Sequence, residues 1–361
     1  MKKDDDFMKL ISLSWDKAII SFNSNSYDFV EITCACRGKS FNLKTEEAGS
    51  LGRIELNGLA PETDYRLTGN CGKLKSKLEF KTLPVPVGKL LSSYAVIADP
   101  HVSEKKENRK GRLFVESAMI LESVIEECNE FGVDFSLIAG DLTNSATNWE
   151  YETVKKIMGD ADAPVFSVPG DHDIAGNMQR RWRSFFGEDE WSTKIKEYHI
   201  TGLNTGKNSL SGKAHKLLEE ASETKKFPLV LTHSLLFHNP YIKYGAKCKP
   251  VENSPKSKKS LNRIRAVPSI IYAGHQNIPS RVAEGSSVQV SIPQISQYIC
   301  GYYIVRHFKN GFYHFFMPIK SEALRQYSRS ASESSVDFYS EKQWTPSYRE
   351  GESIYQSNFI I

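Results

Sequence analysis

No stretch of eighteen apolar residues occurs in the 361-residue chain, so a hydrophobic membrane-spanning helix is not expected. The amino end lacks the apolar core of a secretory signal: Met1-Lys-Lys-Asp-Asp-Asp-Phe7 is charged, and Ile11-Ser-Leu-Ser-Trp15 is already polar. A cytoplasmic location is the expectation, or export if a signal has been removed beforehand. Strong charge of either sign is also missing. Lys and Arg number 47 against 43 Asp and Glu, a formal +4 that argues weakly for any polyanionic partner. The six cysteines lack the spacing of a four-ligand zinc site. Cys34 and Cys36 share one face of a predicted strand that Cys71 could approach, but a chain of this size needs no disulfide staple, and reduced cysteines are expected. Basic residues gather between Tyr241 and Arg265 without interleaved aromatics, unlike a single-strand nucleic-acid groove. That segment reads as a solvated flank or as a cover that steers an anionic substrate. Nucleic acid is therefore not an expected partner, and the oligomeric state is not legible.

What is present divides at Leu83-Pro-Val-Pro-Val-Gly88, a short stiff linker. Before it, strand patterns at 17–22, 29–34, 52–56, 64–67 and 78–81, separated by polar turns, predict a small antiparallel sandwich. In Leu59-Ala-Pro-Glu-Thr-Asp-Tyr65 a turn fixed by Pro61 precedes a tyrosine placed to return its hydroxyl to nearby backbone. It resembles the tyrosine corner of fibronectin type III-like domains. After the linker, helical periodicity over 112–131, 148–158 (capped by Ser145 or Asn148) and 212–221 alternates with apolar strands. An irregular Arg- and Trp-rich stretch follows Asp173; its Trp182, Phe185, Phe186 and Trp191 either wall a cleft or pack a core. From about Ser321 the chain turns polar and serine-rich. It is either a loose tail or one docked through Phe338, Trp344, Tyr348, Tyr355 and Phe359-Ile-Ile361.

The chemistry sits at strand ends. Tyr94-Ala-Val-Ile-Ala98 runs into Asp99-Pro-His101, and Leu137-Ile-Ala-Gly-Asp141 ends in an acid. The strand at Val165 leads to Asp171-His-Asp173, Val230-Leu-Thr-His233 ends in an imidazole, and Gly274-His-Gln-Asn277 follows a fifth apolar run. Any one of these reads as a turn aspartate or a core histidine. Five in order, at the strand ends where open α/β sheets carry their sites, do not. Oxygen and imidazole donors without thiolates suit divalent Mn, Fe or Zn. Asp99, His101, Asp141, Asp171, His172, His233, His275 and Asn277 exceed what one ion needs. Two ions sharing Asp141 is the economical reading, since ions about 3.5–4 Å apart can clamp phosphoryl oxygens during in-line attack. Asn144 is placed to touch a substrate oxygen or to cap the next helix, and His238 to line the pocket or face solvent.

This order of short motifs resembles the calcineurin-like metallophosphoesterase superfamily over about residues 90–318, and the sandwich ahead of it is similar to the layout of purple acid phosphatase-like proteins. The resemblance implies an α/β fold. A metallophosphoesterase double β-sandwich flanked by helices (four-layer α/β/β/α) would span 90–320, after a small all-β immunoglobulin/fibronectin-like sandwich over 1–85 and before a polar tail over 321–361. It implies hydrolysis of a small phosphorylated substrate, as a phosphatase or phosphodiesterase, with two divalent metal ions: Mn or Fe first, Zn or Mg as alternatives. One ion would be held by Asp99, His101, Asp141 and Asn277, the other by Asp141, Asp171, His233 and His275. A bridging hydroxide would attack in line, His172 would help protonate the leaving oxygen, and Asp173 would orient that imidazole. Where true purple enzymes carry a tyrosine ligand this chain has Leu142-Thr-Asn144, so no purple chromophore is expected.

Two positions depart from the family pattern. Asp171 stands where the family has asparagine, and Asn277 where it has histidine. The first adds a negative charge to one site; the second gives the other a weaker amide-oxygen donor. Together they favour harder ions such as Mn or Mg and a less electrophilic centre. Three outcomes stay open: a hydrolase with a modified centre, a one-metal protein of specialised activity, and a binding or scaffolding module that retains the fold.

Overall fold

The computed structural model describes residues 8–23, 31–36, 39–44, 51–176, 178–242, 249–332, 336–337, 342–343, 349–350 and 358–361. Seven strands form the amino-terminal unit: Met8–Leu13 (β1), Lys17–Asn23 (β2), Glu31–Cys36 (β3), Lys39–Lys44 (β4), Leu51–Asn57 (β5), Asp64–Cys71 (β6) and Leu74–Lys81 (β7). They pair antiparallel in two sheets, β1-β2-β5 and β4-β3-β6-β7. Strands β1 and β4 were not among those expected; β4, Lys-Ser-Phe-Asn-Leu-Lys, has only two apolar residues to signal it. Leu10, Ile20, Phe22 and Leu56 share a core with Tyr65, Leu67 and Phe80. The Tyr65 hydroxyl accepts the Ala60 N–H at 2.7 Å, which closes the expected corner. Cys128 and Cys300 are free and buried, and Cys71 is buried; the side chains of Cys34 and Cys36 lie outside those described.

Beyond the linker the elements are Ser92–Ile97 (β8), Ser117–Glu130 (α1), Phe135–Ile138 (β9), Asn148–Gly159 (α2), Val165–Ser167 (β10), Asp171–Ile174 (α3), Gln179–Phe186 (α4), Trp191–Ile195 (β11) and Tyr198–Leu203 (β12). Then come Gly212–Glu223 (α5), Phe227–Thr232 (β13), Pro255–Arg265 (α6), Ser269–Ala273 (β14), Ser280–Glu284 (β15), Ser287–Ser291 (β16), Gly301–Phe308 (β17) and Gly311–Pro318 (β18). The chain closes with Glu322–Ser332 (α7), the short pair Val336–Asp337 (β19) and Lys342–Gln343 (β20), and Phe359–Ile360 (β21). One sheet is ordered β10-β9-β8-β17-β18-β21 and the other β11-β12-β13-β14-β16-β15.

Period-two alternation explains the layering. Tyr94 and Val96 of β8 enter the core between the sheets with Leu229, Leu231 and Tyr272, whereas Ala95 and Ile97 pack with Ile120, Leu121 and Val124 of α1. On the second sheet Val230 and Ile271 turn to Leu217 and Leu218 of α5 and to Leu261 and Ile264 of α6. Central strands buried on both faces read as continuous apolar runs, which is why they were legible. A polar thread crosses the inter-sheet core. The Tyr94 and Tyr272 hydroxyls lie 2.7 Å apart, Tyr272 is 2.9 Å from His314 Nε2, and His314 Nδ1 lies 3.2 Å from the Phe312 carbonyl. Burial holds the His314 imidazole down at about 3, hence neutral.

Elsewhere the structure corrects the expectations. Helix α2 is capped by Thr147, through a capping box with Glu150, and not by Ser145 or Asn148. The Arg- and Trp-rich stretch is helix α4. Trp182 is fully buried, with Phe185 and Phe186 packed on the same core and Trp191 against Phe166, so these rings fill the interior. The tail is docked where it is described. Glu322 of α7 receives Arg53 at 2.9 Å and Ser21 at 2.9 Å, Asn358 donates to the Leu13 carbonyl at 2.7 Å, and β21 extends the first sheet. Phe338, Trp344, Tyr348 and Tyr355 lie outside the described residues. Trp15 meets Phe308, Tyr313 and Phe315 edge-on, joining the sandwich to β17 and β18. Among the described residues no helix is long and apolar enough to cross a membrane.

Replacing Tyr272 by Phe removes the hydroxyl between Tyr94 and His314 and leaves a buried ring nitrogen unpaired. We expect a loss of roughly 1–3 kcal/mol in urea unfolding; an unchanged midpoint would show that the thread contributes nothing.

Candidate metal centre

The parallel strands β8, β9 and β10 of one sheet and β13 and β14 of the other deliver their carboxyl ends to one region. The chain leaves those ends in tight turns. Asp99, His101, Asp141, His275 and Asn277 all have left-handed backbones, with φ from +48° to +66°. Non-glycine residues seldom adopt that conformation, and its cost is tolerated chiefly at functional sites. Two of the glycines beside them are required by close approach. A Cβ on Gly140 would lie 2.5 Å from His233 Nδ1, and one on Gly274 would lie 2.5 Å from Asp99 Oδ2.

Two donor clusters result, and Asp141 belongs to both: Asp141 with Asp171, His233 and His275, and Asp141 with His101 and His172. Asp171 Oδ1 lies 3.1 Å from His233 Nε2 and 3.2 Å from His275 Nδ1. His233 Nε2 is 3.4 Å from Asp141 Oδ1, and its Nδ1 lies 2.9 Å from the Ala139 carbonyl, to which it must donate. On the other side His101 Nε2 lies 3.5 Å from Asp141 Oδ2 and 3.8 Å from Asp99 Oδ1. Metal bonds of about 2.0–2.2 Å separate neighbouring donors by this kind of distance. The fit is tested by what lacks a partner. Among the described residues Asp99 Oδ1, Asn277 Oδ1 and His101 Nδ1 are buried without a hydrogen bond. Buried polar atoms are seldom left so, and a divalent cation answers the two oxygens.

The electrostatics agree. Burial, reinforced by Asp141 and opposed by His233, pushes the Asp99 carboxyl up to about 7. Burial alone would lower His233, but Asp141, the Asp171 hydrogen bond and Asp99 push it up to about 9. Against its burial, the His233 and His275 hydrogen bonds hold Asp171 well below the usual carboxylate range. Burial, then the Arg112 charge, then His172 keep His101 well below its ordinary value.

Three expectations change. Asp173 does not orient His172. Its carboxylate is filled by the Thr143 N–H (2.8 Å) and hydroxyl (2.7 Å), the Leu142 N–H (3.1 Å) and the Gly170 N–H (2.9 Å), so it locks the β9 turn to α3. The imidazole is held instead by the Asn144 carbonyl, 2.6 Å from Nδ1, while Asp141 Oδ1 accepts the His172 N–H at 3.0 Å. The Asn144 side chain bonds Ser145 and does not cap α2. His238 is exposed, with its N–H on Glu252 at 2.6 Å, and belongs to neither cluster. In the basic segment Arg263 pairs with Glu219, and Arg265 with Glu252 and Glu284, which marks α6 as a salt-bridged flank; residues 243–248 lie outside the described ones. Among the described residues the Arg112 charge bears on His101, and Arg112 was not among the residues expected at the site. Its signal was the basic run Lys105-Lys-Glu-Asn-Arg-Lys-Gly-Arg112 directly after Asp99-Pro-His101.

Four layers and strand-end donor clusters with a common carboxylate are the layout of the metallophosphoesterase fold. The family model described as calcineurin-like phosphoesterase matches residues 93–279, more than half of the chain, and the chain belongs to that family. It is 28% identical over 172 residues to the probable glycerophosphodiester phosphodiesterase GpdQ of Arcobacter nitrofigilis, a match covering 44% of this chain and 60% of the relative. It is 26% identical over 208 residues to the 3',5'-cyclic adenosine monophosphate phosphodiesterase CpdA of Haemophilus influenzae, covering 54% and 72%. The structure of a dimetal phosphatase from Danio rerio superposes with a TM-score of 0.50 at 11% identity, over 63% of this chain and 96% of that one, a likeness of fold.

In metal-free protein the raised Asp99 and His233 values mean that their stabilising protonated forms are lost as pH rises, through about 7 and about 9 respectively. Bound cations need the deprotonated donors and reverse that trend. The gain in melting temperature on adding Mn should therefore grow from acid to mildly alkaline pH; a pH-independent gain would count against a cation among these residues.

Proposed function

We propose that the chain is a metal-dependent phosphoester hydrolase acting on a small phosphorylated substrate, diesters first, with two divalent ions on either side of Asp141. The observation that carries this reading is the membership of that one carboxylate in both donor clusters. Asp99, His101, Asp141 and Asn277 would hold one ion, and Asp141, Asp171, His233 and His275 the other. Such ions supply Lewis acidity toward phosphoryl oxygens and a lowered water pKa.

The chain's own groups do the rest. The Asn144 carbonyl fixes the His172 tautomer with the proton on Nδ1, leaving Nε2 to meet the phosphoryl group and exchange a proton with the leaving oxygen. Asp173 keeps that loop in place through its four donors. Asp171 adds a carboxylate oxygen beside His233 and His275, and Asn277 presents an amide oxygen, which suits Mn or Mg better than Zn. The phosphodiesterase names of both curated relatives favour a diester over a monoester.

Elemental analysis of Mn-treated protein should find two ions per chain, with bis-p-nitrophenyl phosphate turned over faster than p-nitrophenyl phosphate. His172→Ala should lower kcat by about 10²-fold or more with both ions retained, and Asn277→His should tighten the ion beside Asp99. One ion or none, with neither ester hydrolysed, would sink the reading and leave a fold retained for binding.

A further inference from the structure

The parallel ladder between β12 and β13 has its last pair at Leu203 and Thr232. The next two N–H groups after β13, those of His233 and Ser234, lie beyond that ladder. Both go to one side chain from the turn after β12. Thr205 Oγ1 accepts the His233 N–H at 3.1 Å and the Ser234 N–H at 2.8 Å. Asp99 and His101, by contrast, donate their N–H groups to the Gly140 and Asp141 carbonyls.

The three hydroxyls around this turn have no capacity to spare. Thr232 donates its one proton to the Ser234 carbonyl at 3.0 Å, so in the 2.8 Å contact between Thr205 Oγ1 and Thr232 Oγ1 the proton comes from Thr205. Ser234 donates in return to the Thr205 carbonyl at 2.9 Å. Thr205 thus gives one hydrogen bond and receives two, its full complement, and it is wholly buried together with Thr232 and His233. From the other sheet the Ala139 carbonyl, 2.9 Å from His233 Nδ1, fixes the imidazole. Past the ligand, Gln289 of β16 accepts the Leu236 and Phe237 N–H groups at 2.8 and 2.9 Å, so the chain stays gripped. The same turn also adjoins the residue before Asp171: a Cβ on Gly206 would lie 2.9 Å from the Gly170 carbonyl oxygen.

We propose that Thr205 is a positioning residue for the metal centre. Its hydroxyl stands in for a strand partner, aims His233 into the cluster with Asp141, Asp171 and His275, and so sets the affinity of the ion held there. This rests on the ligand role given to His233 in the hydrolase reading. A valine at 205 has nearly the same shape and no acceptor, which leaves two buried N–H groups unpaired; the turn escapes that state by shifting. The shift carries the imidazole away from Asp171 Oδ1, 3.1 Å from its Nε2.

The test titrates the metal-free full chain with Mn and follows free and bound ion by electron paramagnetic resonance. Thr205→Val should weaken one of the two ions by about 10- to 100-fold, the usual effect of removing a group that orients a ligand, and leave the other unchanged. Thr205→Ser retains the hydroxyl and should restore wild-type affinity. Thr201→Val is the control, because the Thr201 hydroxyl on β12 is equally buried and has no hydrogen bond among the described residues. It should bind both ions as the wild type does. His275→Ala removes a ligand of the affected ion, and adding Thr205→Val to it should not weaken the ion that remains. Raising Mn should return kcat of Thr205→Val toward the wild-type value. If the valine variant fails to fold, Thr232→Val, which deprives the Thr205 proton of its acceptor, is read in the same way. Wild-type affinity for both ions in Thr205→Val, or an equal loss of both, overturns the proposal. Two ions bound with no ester hydrolysed would sink the hydrolase reading alone, and the affinities would still decide the role of Thr205.

Discussion

Carboxylates buried close to one another are the constraint on which this structure depends. Asp99, Asp141 and Asp173 are each at most 2% exposed, and their mutual repulsion in a dry interior has to be answered group by group. For Asp173 the answer is internal, since four donors from the β9 turn and Gly170 surround it. Asp141 and Asp99 are answered only in part, by one backbone N–H each, from His172 and His275. What remains is unspent capacity: an orphaned Asp99 oxygen and a doubly shared Asp141. The protein leaves negative charge where a cation can meet it, at Asp99 and Asp141 and not at Asp173.

Such an arrangement is strained, and the rest of the fold supplies the rigidity. Left-handed backbone at five donor positions persists because each turn follows a strand buried on both faces. The amino-terminal sandwich attaches to β17 and β18 through Trp15, the tail joins β18 through β21, and Arg53 meets Glu322 of α7. The family departures also make sense in these terms. The additional acid at 171 sits between two imidazoles, and the amide at 277 occupies a left-handed turn with its oxygen unpaired.

Much was legible in the chain. Continuous apolar runs ending in Asp or His mark strands covered on both faces, and Tyr65 five residues after Ala60 signals the corner because that contact is local. Other features left little trace. Helix α4 is Arg-rich and turns mainly Trp182 fully inward, and β4 and β11 are short edge strands with few apolar residues. Thr147 was overlooked as a cap beside two equally plausible neighbours.

The sequence by itself determined the layering and which polar residues stand at strand ends, because periodicity and chain order are local properties that no distant contact can alter. Only the tertiary structure decided which donor meets which. The partners of Asp173 lie 3, 30 and 31 positions away, Asp99 meets His275 across 176, and His172 is held by a carbonyl 28 residues earlier. Those pairings depend on loop paths between two sheets.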